Sequence, residues 1–82
     1  MKAEFIKLIE SIGFISNKEV MIVYEYKGFK LYLYDDCYNF YTRDHYEYES
    51  GWIWSVLYSD LKPIEKYLKK EFRSIKLKEL LR

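Results

Sequence analysis

Cysteine, histidine and proline occur once each in these 82 residues, as Cys37, His45 and Pro63, and glycine occurs three times, at Gly13, Gly28 and Gly51. A single cysteine excludes an internal disulfide, so core packing must hold the fold and a reducing cytoplasm is the expected setting. Cys37 and His45, even joined by Asp35 or Asp44, match no zinc pattern, which needs four protein ligands in a structural site or three and a water in a catalytic one. No metal or cofactor is expected. Nothing near His45 would orient it as the base of a cysteine nucleophile, and it reads as a loop histidine. The isolated glycines exclude a phosphate-cradling glycine loop. No apolar run reaches the ~20 residues of a membrane span, and Glu4 stands where a signal peptide carries only bases. Low-complexity tracts, linkers and internal repeats are missing too. Without a catalytic constellation, a non-enzymatic role is expected.

What is abundant is aromatic and unevenly placed. Nine of the ten tyrosines, both tryptophans and two of the five phenylalanines lie between Tyr24 and Tyr58. One domain of this length buries ~60–65% of its unfolded surface. One face of its small sheet cannot hold thirteen such rings, so several are expected to face solvent or a partner. Tyrosine and tryptophan offer large contact area at low rotamer cost, which suits recognition. Charge is uneven as well. Residues 1–30 sum to +1, residues 31–61 to −5 and residues 62–82 to +5, a dipolar arrangement with an acidic aromatic middle and a basic tail.

Hydrophobic spacing predicts the elements. Phe5, Leu8, Ile9 and Ile12 recur at helical period, predicting a helix over 2–12, and Gly13 can terminate it with Phe14 folded back. Residues 20–26 and 29–34 read as a hairpin turning at Lys27-Gly28, with Tyr26 opposite Phe29, Tyr24 opposite Leu31 and Ile22 opposite Leu33. Its core face would carry Val20, Ile22, Tyr24, Tyr26, Phe29, Leu31 and Leu33. The opposite face, with Met21, Val23, Glu25, Lys30, Tyr32 and Tyr34, would meet water or a partner. Asp35-Asp36 supplies the next turn, and 37–42 a third strand. Over 43–58 the alternation around Ser50-Gly51 allows a fourth strand or a second hairpin, and a long functional loop fits almost as well. The rest is helical: Ser59 or Asp60 caps it, Pro63 sits in its first turn, and Leu61, Ile64, Leu68, Phe72 and Ile75 form its stripe. Leu77 leaves that stripe, predicting a kink or a new helix at Ser74 that brings Leu77, Leu80 and Leu81 to the body. The expected fold is a single α+β domain over 1–82: an N-terminal helix, a three- or four-stranded antiparallel meander, and one or two C-terminal helices packed on one face.

Two resemblances bear on function. Lys27-Gly28-Phe29-Lys30-Leu31-Tyr32-Leu33-Tyr34 resembles the ribonucleoprotein-1 octapeptide of RNA-recognition motifs. It departs from that pattern at Lys30, Leu31 and Tyr32, and the helix-first element order is not that family's. In size, in helix–meander–helix order and in its acidic aromatic surface, the whole chain resembles small phage-encoded anti-CRISPR and related anti-defence proteins. That resemblance implies stoichiometric blocking of a host nuclease, and it carries no individual residue across. The expected partner is a larger protein with a basic surface. The expected anchors are Tyr32, Tyr34, Tyr46, Tyr48, Trp52 and Trp54, with Asp35, Asp36, Asp44, Glu47 and Glu49 as charge complements. An alternative is nucleic-acid binding through Lys66, Lys69, Lys70, Arg73, Lys76 and Lys78. Self-association through exposed aromatics is a third.

Overall fold

The computed structural model describes residues 1–42 and 51–80, with side chains described as far as Leu77. Helix α1, Lys2–Ile12, forms on the predicted residues. Phe5, Ile9 and Ile12 are buried along one stripe, while Lys7, Glu10 and Ser11 face water. Gly13 stops the helix at φ 129°, a conformation that side chains rarely adopt, and its amide bonds back to the Ile9 and Glu10 carbonyls. A Cβ there would lie 2.7 Å from Tyr26 Cε1, so close packing demands glycine as well. Phe14 turns back, its amide 2.9 Å from the Ile9 carbonyl and its ring 5.4 Å from that of Tyr26.

A five-stranded antiparallel meander follows, in spatial order β1-β2-β3-β4-β5: β1 Ile15–Ser16, β2 Val23–Tyr26, β3 Phe29–Leu33, β4 Cys37–Tyr41 and β5 Trp52–Leu57. The strand left open between 43 and 58 is β5. The two-residue β1 is additional to the three or four strands expected. The hairpin register is the predicted one, Tyr26↔Phe29, Glu25↔Lys30 and Tyr24↔Leu31. Lys27 at φ 47° and Gly28 at φ 86° give the doubly positive turn that matches the twist of a two-residue hairpin.

Three expectations need correction. Val20 and Ile22, assigned to the core face, are exposed. The Asn17 Oδ1 accepts the amides of Glu19 and Val20 at 2.9 and 3.2 Å, which holds the chain in a local turn and delays the strand to Val23. Val23, assigned to the wet face, is only 4% exposed. Last, the C-terminal helix breaks at Leu68 (φ −127°, ψ 45°), giving α2 Lys62–Tyr67 and α3 Lys69–Leu80. Because α3 runs on through Ser74, Leu77 lies ~200° around the helix from half-buried Ile75 and is exposed instead of meeting the body. At the start of α2, Pro63 occupies the first turn, and Asp60 Oδ1 accepts the Lys62 amide at 3.1 Å.

All three helices lie on one face of the sheet. Phe5, Ile9 and Ile12 of α1 and Ile64, Leu68 and Phe72 of the C-terminal segment meet Leu31, Leu33, Tyr38, Phe40, Val56 and Tyr58. This is the α+β arrangement that the spacing predicts. Aromatics dominate its centre: Phe5 stacks on Tyr38 at 4.5 Å and meets the edge of Tyr58 at 5.0 Å.

Candidate functional site

The helices leave the other face of the sheet uncovered by any described helix, and side-chain alternation decides what it carries. Register places Glu25, Lys30, Tyr41 and Trp52 in one cross-strand row and Val23, Tyr32 and Asn39 in the next. Lys30 Nζ and Glu25 Oε1 approach to 3.8 Å, each side chain less than half exposed, a pair worth ~0–1 kcal/mol.

A bulge in β5 completes the face. Phe40 pairs with Ile53 but Tyr38 pairs with Val56, so three steps along β5 match two along β4. Ser55 absorbs the extra residue at φ 53°, and its amide donates to Asn39 Oδ1 at 2.8 Å. The consequence is a change of phase. Unbroken alternation from Ile53 would turn Ser55 and Leu57 toward the helices and Val56 and Tyr58 away. With the bulge, Ile53, Val56 and Tyr58 all join the core, while Trp52, Trp54 and Leu57 point outward.

The outward rings form a connected set. Trp52 meets Tyr32 edge-on at 5.2 Å, lies 5.0 Å from Tyr41, and stacks on Trp54 at 5.0 Å with an interplanar angle of 19°. Trp54 is 61% exposed at the open end of this stack, and Leu57 further along β5 is exposed to the same degree. A tryptophan indole stacked on one side and left so open on the other exposes apolar area that the described residues do not cover.

Of the expected anchors, Tyr32, Trp52 and Trp54 therefore come together. Tyr34 is exposed at the far end of β3, next to exposed Asp35 and Asp36 in the β3–β4 turn. From Tyr41 to Cys37 the strand spans ~13 Å, so this acidic turn borders the ring set at a distance and does not sit within it. Asp44, His45, Tyr46, Glu47, Tyr48 and Glu49 lie outside the described residues. Tyr41, Asn39 and Ser55 were not foreseen as parts of the face. Alternation along 37–41 carries the signal for Tyr41, since Tyr38 and Phe40 claim the core side.

Beneath Tyr34 the phenol of Tyr58 donates to the Tyr34 carbonyl. Burial, with the charges of Cys37, Asp35 and Asp36, pushes its pKa up to about 12. The Tyr38 phenol, fully buried, donates to the Asp60 carbonyl at 2.7 Å and is likewise raised, by burial first and by the Asp60 charge second. Both phenols are structural ties between the sheet and the turns that flank it.

The basic residues occupy the other layer. Lys66, Lys69, Lys70, Arg73 and Lys76 are exposed on α2 and α3, with Lys66 over the Tyr67 ring and Lys76 over the Phe72 ring. The Lys78 side chain is outside the described residues. These bases and the Trp52–Trp54 stack belong to opposite sides of the sheet. Among the described residues, no group of three or more His, Cys, Asp or Glu side chains is placed to hold a metal ion, and no helix is long and apolar enough to cross a membrane.

No family model, curated protein or solved structure matches this chain.

Proposed function

We propose that this protein is a non-enzymatic binding module that docks the uncovered face of its sheet on a larger protein. The observation that carries this is the Trp52–Trp54 stack, joined to Tyr32 and Tyr41 and ending in a largely exposed indole. Rigid aromatic side chains already held in contact lose little further rotamer freedom on binding, so each contributes its contact area at low entropic cost. Among the described residues the face itself carries one self-compensating pair, Glu25 and Lys30. Its charged margin is the Asp35-Asp36 turn, and the sequence joining β4 to β5 adds Asp44, Glu47 and Glu49 against Arg43. That acidic excess suits a partner with a basic surface. The finer proposal is that the module acts as an inhibitor of phage or mobile-element origin, its carboxylates occupying a groove where a host nucleic-acid-handling protein binds phosphates.

Direct nucleic-acid binding through Lys66, Lys69, Lys70, Arg73 and Lys76 competes with this reading, because these bases are exposed together on α2 and α3. Single-strand binders combine bases with stacking aromatics in one groove. Here the two sets face away from each other, so a helix-bound nucleic acid would rely on charge without the tryptophans.

The deciding experiment compares capture from nuclease-treated host lysate by the wild type, by Trp52→Ala/Trp54→Ala and by Lys69→Ala/Lys70→Ala/Arg73→Ala, each checked for fold by circular dichroism. Loss of a stoichiometric protein partner in the tryptophan variant alone is the expected result. Unchanged capture by a folded tryptophan variant refutes the assignment. Salt-sensitive nucleic-acid binding lost in the basic-helix variant supports the competitor.

A further inference from the structure

The sheet ends at β5, and that edge is unusual in composition. Exposed edge strands are normally protected by lysine, proline or inward-pointing charge, because their outer row of N–H and C=O groups is a template for another strand. The sequence of β5, Trp52-Ile53-Trp54-Ser55-Val56-Leu57, contains no charged residue and no proline. Among the described residues only β4 pairs with it. Two of its six side chains, Trp54 and Leu57, are each 61% exposed large hydrophobics. Trp52 and Ile53, at the start of the strand, pair regularly with Tyr41 and Phe40 ahead of the bulge.

We propose that β5 pairs antiparallel with β5 of a second copy of this chain, joining two five-stranded sheets about a two-fold axis near Ile53. Antiparallel pairing of a strand with itself is isologous, so each residue's environment is repeated by symmetry and the assembly closes at two copies. A strand with side-chain charge would face its own sign across such an axis; β5 has none, which selects a second copy over a charged peptide. About Ile53 the symmetry sets Trp52 of one copy opposite Trp54 of the other. Both lie on the uncovered face, so the Trp52–Trp54 stack continues across the junction as cross-strand pairs. Trp54 thereby gains on its open side a neighbour that the described residues of the single chain do not supply. All helices lie on one face of each sheet, and the two-fold keeps them together on one side of the joined sheet and the aromatic rows together on the other.

Sedimentation equilibrium over a wide concentration range tests this, with hydrogen exchange on the Trp52 and Trp54 amides at the two extremes. The expected result is a monomer–dimer equilibrium in which exchange at these amides slows as the dimer forms. Trp54→Lys, at an already exposed site, should weaken the dimer by ~30-fold or more, the loss typical of removing one tightly packed interface anchor. A monomer at the highest concentration overturns the proposal. So does a dimer that survives in folded Trp54→Lys, or one whose formation leaves exchange at Trp52 and Trp54 unchanged. If the variant fails to fold, exchange in the wild type decides alone.

Discussion

Replacing Tyr58 by phenylalanine should destabilise the protein at neutral pH and leave it no less stable than the wild type near pH 11. The Tyr58 phenol is buried and donates to the Tyr34 carbonyl. Deleting the hydroxyl removes one hydrogen bond, worth ~1 kcal/mol. The stranded acceptor belongs to an exposed residue, so water can take up much of the loss. The pH dependence runs the other way. Burial first, then the neighbouring charges, raises the phenol to about 12 in the fold, while in the unfolded chain it ionises near its ordinary value of 10. Above pH 10 the unfolded state therefore binds fewer protons than the folded one, and stability falls as pH rises. The contribution is fully present below pH 10 and is lost through about 12. By pH 11 the wild type forfeits on the order of 1 kcal/mol through this group, which the phenylalanine variant does not. The gap of ~1 kcal/mol at pH 7 should thus close near pH 11. Other titrating groups, Tyr38 included, are common to both proteins and cancel in the difference. Urea unfolding of both proteins, followed by far-ultraviolet circular dichroism at pH 7, 9, 10 and 11, measures it. A gap that stays constant across this range would mean that Tyr58 ionises as freely in the fold as out of it, and the assigned burial would be wrong.

Two further substitutions probe what sets the aromatic face. Asn39→Ala removes the acceptor for the Ser55 amide and should cost ~1–3 kcal/mol, together with a change in the near-ultraviolet signal of the Trp52–Trp54 stack; a loss within the noise of thermal unfolding would show that the bulge holds without it. Gly13→Ala forces a side chain into φ 129° and against Tyr26, so a loss of ~2 kcal/mol or more is expected, and a variant that melts with the wild type would contradict the close contact.

How much was legible in the chain follows from the range of the interactions involved. Helix α1, the Lys27-Gly28 hairpin with its register, the Asp35-Asp36 turn and the helical tail are written locally, in i to i+4 spacing and in turn residues that need only their neighbours. Tyr32, Trp52 and Trp54 were recognisable as ring donors because no small core could absorb so many aromatics. Other features depend on particular contacts and breaks that hydrophobic spacing does not encode. Val20 and Ile22 alternate like strand residues, yet the Asn17 side chain winds them into a turn. Val23 is buried beside Tyr32, its cross-strand partner, on the side expected to be wet. Leu77 faces outward because the helix breaks at Leu68 instead of Ser74.

The face itself shows the division most sharply. Its ring types and their number came from composition, whereas their union came from tertiary structure. Tyr41 meets Trp52 because the pairing of β4 and β5 places them side by side. Trp54 stays on the same side as Trp52, while Val56 and Tyr58 turn inward, because Ser55 adopts a positive φ and Asn39 accepts its amide from the neighbouring strand. Alternation is a local rule, and only a contact sixteen residues away along the chain changes its phase.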